Sequence, residues 1–287
     1  MSVPAAGTVP PLVAGLCDDA AVFPPGNATL PGAVAAYLDR RGTWYAALAG
    51  PLVVHDGLLD ALAALLPAGA ALPLSVTLPG GPQGLPRVLD RAAALPVRLV
   101  SVEIAAPAGT APDGAAVAPP PTGGPDVYVE IPRDDRRDAF LTGLPAGVLA
   151  KFRTGGVRAD LHPGEDELAA GLAGAVAAGR PFKATAGLHH AVRHTDPATG
   201  FEQHGFLNVL LATDALLRGG TEVDAAALLA ERDGAVVAGR VNDLDADRVD
   251  RARAAFRSFG TCSITDPLTD LIHLGVCTAP PTEGALP

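Results

Sequence analysis

Two residues stand out by type. The chain carries 21 basic residues, and only Lys151 and Lys183 among them are lysine. A Gly/Ala/Pro/Arg-heavy composition uses arginine wherever any cation serves, so a retained lysine marks a position that arginine cannot fill. Lysine can lose its proton and act as a base or nucleophile, which arginine cannot, and burial eases that loss near neutral pH. Both lie in apolar segments, AKFRTGG (150–156) and FKATAGLHH (182–190). Thr154 and Thr185 follow them, and Gly155, Gly156 and Gly187 suit tight turns or close approach of backbone to a ligand. Arg153 can clamp a phosphate or carboxylate through paired hydrogen bonds.

Acid–base groups surround these segments. His189, His190, His194 and His204 are four of seven histidines, and histidine titrates near working pH. Glu103 and Glu130 share a Val-Glu-Ile context. Side-chain alternation sets each opposite its apolar neighbours, as an inward acid, a lysine partner, or a structural pair with Arg98 or Arg153. A metal site would draw oxygen ligands from Asp19, Glu103 or Glu130, but no HxH or HExxH spacing accompanies them, and no metal or cofactor is expected. The segment SFGTCSITDP (258–267) ends in a helix start near Thr265 or Asp266 that could bind phosphate. Cys262 reads as a nucleophile or a small buried hydrophobe. The expected catalytic set is Lys151, Lys183, His189, His190, Glu103 and Glu130. The expected substrate-binding set is Arg153, Thr154, Gly155, Gly156, Thr185, Gly187, His204, Asn208, Ser263, Asp19 and His55.

These groups fall at the ends of short apolar segments that predict strands at Leu12–Cys17, Leu52–His55, Leu72–Leu78, Arg98–Ile104, Val127–Ile131, Val148–Arg153, Phe182–Ala186 and Ser258–Ile264. Helical patterns lie at 29–41, 58–66, 85–94, 165–178, 204–218, 223–231 and 267–274. Strands alternating with helices imply crossover units and a parallel sheet. Eight such units predict an α/β fold of (β/α)8 TIM-barrel type, whose active site forms at the carboxyl ends of the strands. The open doubly wound rival usually carries a Gly-rich phosphate loop, absent here. The connection 105–125, rich in Pro, Gly and Ala, reads as an irregular loop after strand 4. Between strands 7 and 8 the stretch 191–257 holds extra helices or a short extra strand at 235–239. One domain over 1–287 is expected.

Composition bounds the partners. A net charge of −10 without a basic stripe argues against nucleic acid and anionic membranes, leaving a small-molecule substrate; a homo-oligomer stays open. Three cysteines, Cys17, Cys262 and Cys277, with no CxxC pair fit a reducing, cytoplasmic setting. The opening MSVPAAGTVPPLV lacks signal-peptide features, and no apolar run reaches the roughly 18 residues of a membrane span.

AKFRTGG, FKATAGLHH, HGFLN (204–208), FGTCSITDP and DDAAVFPPG (18–26) together resemble a bacterial family of hypothetical proteins, which implies no activity. The lysine pair itself is similar to class I aldolases of the deoxyribose-phosphate kind, barrels with two lysines on consecutive late strands, each followed by Thr/Ser and Gly. That resemblance implies Lys151 as Schiff-base lysine and Lys183 as its pKa-lowering neighbour, or the reverse. The histidines after Lys183 and the early strands depart from the pattern. The expectation is an enzyme for a small anionic carbonyl-bearing metabolite, a Schiff-base lyase of aldolase type. The alternatives are an isomerase or epimerase with Lys/His/Glu acid–base pairs, with or without a metal, and a non-catalytic ligand-binding protein.

Overall fold

The computed structural model describes residues 7–67, 69–106 and 123–281. Eight parallel strands close into a barrel. In chain order they are β1 (Cys17–Asp19), β2 (Ala49–His55), β3 (Leu72–Leu78), β4 (Val97–Ile104), β5 (Asp126–Glu130), β6 (Val148–Arg153), β7 (Phe182–Thr185) and, after a small antiparallel ribbon of β8 (His194–Thr195) and β9 (Glu202–Gln203), β10 (Phe256–Thr261). Around the barrel each strand pairs with the next, and β10 returns to β1. The expected α/β barrel is therefore the observed fold.

Alternation along the strands decides which side chains meet inside. Leu52 and Val54, Val127 and Val129, Val148, Ala150 and Phe152, Phe182 and Ala184 all join the buried hydrophobic cluster between barrel and helices. The residues between them, Val53, Tyr128, Glu130, Lys151 and Lys183, do not and face the lumen. Behind the lysines, Phe152 packs edge-on against Phe182 at 5.5 Å, and Phe182 stacks on Phe256 at 5.3 Å. This aromatic ladder joins β6, β7 and β10 and fixes the two lysine-bearing strands against each other.

The helices are α1 (Leu30–Arg40), α2 (Leu59–Ala63), α3 (Leu85–Ala93), α4 (Arg137–Gly143), α5 (Glu165–Ala177), α6 (Phe206–Leu217), α7 (Glu222–Ala230), α8 (Gly234–Asn242), α9 (Ala246–Ala255) and α10 (Thr265–His273). Helices α6 to α9 are the extra material expected between the last two barrel strands. Arg180 closes the α4–β6 turn: its guanidinium donates to the carbonyls of Leu141, Leu144, Pro145 and Val148. Among the described residues no helix is long and apolar enough to cross a membrane.

Three expected elements differ. The first strand is Cys17–Asp19 and not Leu12–Cys17. Residues before it form turns, with Val13 and Ala14 both donating to the Pro10 carbonyl and Leu16 to that of Val13. Leu12, Val13 and Leu16 are apolar because those turns are buried. The extra strand at 235–239 is helix α8, which Asp233 starts by accepting from the amides of Ala235 and Val236. The last barrel strand ends at Thr261, where Cys262–Ile264 turn into α10. Most of the connection 105–125 lies outside the described residues.

Candidate active site

The barrel register places the charged groups. Glu130 on β5 lies beside Lys151 on β6, Lys151 beside Lys183 on β7, and Lys183 beside Ser258 on β10. Lys183 spans the lumen, its Nζ 2.5 Å from Asp18 Oδ2 on β1 and donating also to Glu103 Oε1 on β4. Glu103 is shared: its Oε2 stands 3.5 Å from Lys151 Nζ, and its Oε1 accepts from Ser75 Oγ at 2.9 Å. Ser101 Oγ donates in turn to Ser75 Oγ at 2.7 Å. Lys151 Nζ is also 3.1 Å from Glu130 Oε2, and Glu130 Oε1 accepts from Arg153 Nε at 3.1 Å. Three carboxylates thus face three cations, so the cluster balances.

Burial sharpens these pairings, since unpaired charge is costly in a low-dielectric interior. Burial alone would lower the Lys183 pKa, but the Asp18 and Glu103 carboxylates outweigh it and push it well above the ordinary lysine value. Burial opposes ionisation of Glu103, yet Lys183, Lys151 and the hydrogen bonds from Lys183 and Ser75 hold its pKa at about 2. Glu130 is likewise held low, Lys151 and Arg153 overcoming burial. Asp18 moves the other way: its burial exceeds the pull of Lys183 and Ser258. Its Oδ1 has no hydrogen-bond partner among the described residues, and a Cβ on Gly50 would stand 2.2 Å from that oxygen. Gly50 therefore leaves the room in which this carboxyl sits.

Above the cluster a cavity of about 300 Å³ opens at the carboxyl ends of the strands. Lys151, Lys183, Glu103, Glu130, Arg153, Gly156, Thr185 and His189 line it, so eight of the expected site residues converge. His189 is kept neutral by burial, with the charge of His190 adding to the effect. Its Nδ1 is 3.4 Å from Thr261 Oγ1 and 3.6 Å from Cys262 Sγ. Burial raises the Cys262 pKa, so both groups present neutral forms to the cavity.

The other expected residues lie outside the lining. Thr154 Oγ1 donates to the carbonyls of Thr185 and Ala186. A Cβ on Gly155 would meet Gly187 Cα at 2.7 Å. The two Thr-Gly tails therefore lock against each other, and they position the lysines. His190 Nδ1 pairs with Asp270 at 3.0 Å on α10. His204 lies between the Pro163 carbonyl at 2.9 Å and Arg193 at 3.2 Å, and burial lowers its pKa to about 4. Asn208 ties α6 to the carbonyls of Leu228 and Glu231. Ser263 Oγ accepts from the Asp266 amide at 3.2 Å. Asp19 points outward to Arg40 at 2.7 Å, and His55 ends β2 away from the lining.

The site also contains residues absent from the expected set. Asp18, read only as a strand-end polar residue beside Asp19, joins Ser75, Ser101, Ser258 and Tyr128 in the lumen network, with Tyr128 presenting its ring 5.4 Å from Lys183 Nζ. Period-two placement between apolar neighbours was the available signal for Ser75, Ser101 and Tyr128. Among the described residues no group of three or more His, Cys, Asp or Glu side chains is arranged to hold a metal ion. Compared with protein-family models, curated proteins and solved structures, the chain matches none, and the functional reading rests on the site itself.

Proposed function

We propose that the protein is an enzyme that breaks or forms a carbon–carbon bond beside a carbonyl group through a Schiff base on Lys151. The observation that carries this reading is the unequal partnering of two adjacent lysines. Lys183 is clamped by two carboxylates and held as a cation. Lys151 meets its carboxylates at 3.1 and 3.5 Å and borders the cavity, so its amine can turn to a bound substrate.

Lys151 Nζ passes a proton to Glu130, 3.1 Å away, and adds to the substrate carbonyl carbon. The carbonyl oxygen takes a proton and leaves as water, giving an iminium. A carboxylate removes the proton of the β-hydroxyl, the adjacent carbon–carbon bond breaks, and its electron pair enters the iminium to give an enamine. Protonation of that carbon and hydrolysis free Lys151. Glu103, kept ionised between the lysines, is the base nearest both, and neutral His189 on the facing wall can accept a proton and hand it back. The Lys183 ammonium stabilises negative charge developing on the carbonyl oxygen, and Arg153 meets an anionic group of the substrate at the mouth.

The test is borohydride trapping with small aldehydes and ketones, read by intact mass and peptide mapping. The expected result is a reduced adduct on Lys151 that disappears in Lys151→Arg. An adduct on Lys183 would reverse the roles, and full activity in Lys151→Arg would end the Schiff-base reading.

A further inference from the structure

Resting on the Schiff-base reading, we infer that the substrate is a short oxo acid with an apolar body and a single carboxylate, and that phosphorylated sugars are excluded. The cavity volume, about 300 Å³, lies at the lower end of the roughly 300–1,000 Å³ common for ligand sites. Its buried charged groups, Lys151, Lys183 and Glu103, sit on the floor with Glu130 beside them and Arg153 towards the mouth, and each already has a partner of opposite sign. Higher up, the walls are carbon: Phe23, Leu78, Pro79, Val157 and Leu161. Val157 is 73% exposed at the mouth, an apolar rim. Among the described residues, Thr77, Thr185 and His189 are the other polar side chains near this space besides Cys262. A polyhydroxylated sugar would leave hydroxyls unpaired against those walls, which is costly, whereas an aliphatic or aromatic chain fits them.

The anion end is equally specific. Arg153 gives Nε to Glu130, and its two terminal amino groups make no hydrogen bond to the described residues. That fork matches one carboxylate. Over a balanced cluster a carboxylate adds one negative charge and a dianionic phosphate two. Barrels of this type often bind phosphate near the last strands and a helix start. Here the start of α10 is poorly equipped: the Asp266 amide is taken by Ser263, Pro267 has no amide hydrogen, and Asp266 adds a negative charge.

The experiment has two arms on the full chain. In the first, phenylpyruvate, ketoisocaproate and glyceraldehyde phosphate are compared in borohydride trapping. The oxo acids are expected to label Lys151 faster by about tenfold or more, the scale on which apolar pockets discriminate. Arg153→Gln should erase their advantage over the corresponding methyl ketones. In the second arm, calorimetry measures isocaproate and inorganic phosphate binding to Lys151→Met, which cannot form the imine; isocaproate is expected to bind and phosphate not to. Equal or faster labelling by the phosphorylated aldehyde overturns the substrate class while the Schiff base stands. Binding of isocaproate without any adduct on Lys151 overturns the Schiff base while the pocket's preference stands. Neither binding nor labelling overturns both.

Discussion

Replacing Lys183 by Met tests the electrostatic architecture directly. The side chain is 1% exposed and bonded to two carboxylates. Its removal leaves Asp18 and Glu103 buried without their shared cation. Breaking a buried ion pair from one side costs about 3–5 kcal/mol. At about 2–4 °C per kcal/mol for larger domains, that lowers the melting temperature by roughly 6–20 °C. The loss must also depend on pH. In the variant, Asp18 loses the cation that opposed its burial and Glu103 keeps only Lys151 and Ser75 against its own; a carboxyl whose folded pKa exceeds its unfolded value loses stability as pH rises through the folded value. In the parent protein Glu103 runs the opposite way. It is held at about 2 against an ordinary 4.5, so it contributes stability above 4.5 that fades as pH falls toward 2. Calorimetric melts from acid to neutral pH should therefore show the two proteins nearest each other in acid and furthest apart at neutrality. Lys151→Met is the control: Glu103 keeps Lys183 and Glu130 keeps Arg153, so its loss should be nearer 1 kcal/mol, on the scale of a single lost hydrogen bond. A gap that stays constant with pH would reduce Lys183 to a packing role, and equal losses in the two variants would refute the proposed difference between the lysines.

Three further outcomes are expected. Gly187→Ala puts a side chain at φ +72°, with its Cβ 2.7 Å from the Thr154 carbonyl oxygen; strain and overpacking should cost about 2–4 kcal/mol in denaturant unfolding and slow adduct formation by shifting Lys183 against Lys151. Arg180→Met removes the guanidinium donor from four carbonyls, of which Pro145 keeps the Val148 amide, and should cost about 2–4 kcal/mol, with unfolding midpoint as the readout. His190 has its pKa raised by the hydrogen bond to Asp270, so this pair contributes stability below the ordinary imidazole value that is lost as pH rises through the folded value. A histidine titration by NMR should show the His190 pKa falling in Asp270→Asn, and an unchanged value would show that the pair does not form.

What was legible in the sequence follows from what period and type encode. Strands β3 and β6 were read with their observed bounds because both alternate cleanly between a helix-facing apolar row and lumen residues. At β1 the same signal misled: Leu12, Val13 and Leu16 are apolar to fill buried turns, and the true strand is the polar Cys17–Asp18–Asp19. Valine-rich 235–239 suggested a strand by propensity, but the Asp233 cap and tertiary packing make it helical. In the site, rare lysines and strand-end glutamates identified four members of the cluster by type alone. The adjacent aspartates could not be separated by type, since only a barrel fixes which faces the lumen; Asp18 does, while Asp19 meets Arg40. His204 and Asn208 show the converse error source. Their chemistry suits a site, yet each is consumed by hydrogen bonds that hold the extra helices.

The serines explain why the lumen can keep its charges. A barrel interior is ordinarily packed with branched apolar side chains, and one lined that way would strand Glu103 and Asp18. Ser101, Ser75 and Ser258 instead relay hydrogen bonds to those two carboxylates, which Lys183 also bonds. Because the carboxylates satisfy Lys183 more fully than Lys151, the same network that stabilises the folded barrel also separates the roles of the two amines. Stability and reactivity are in this sense one arrangement. A substitution such as Ser75→Ala, outside the cavity lining, should therefore raise the Glu103 pKa and move the pH profile of Lys151 labelling, while Ser75→Thr, which keeps the hydroxyl, should restore it; labelling profiles that ignore the loss of the hydroxyl would disconnect the serine relay from the chemistry.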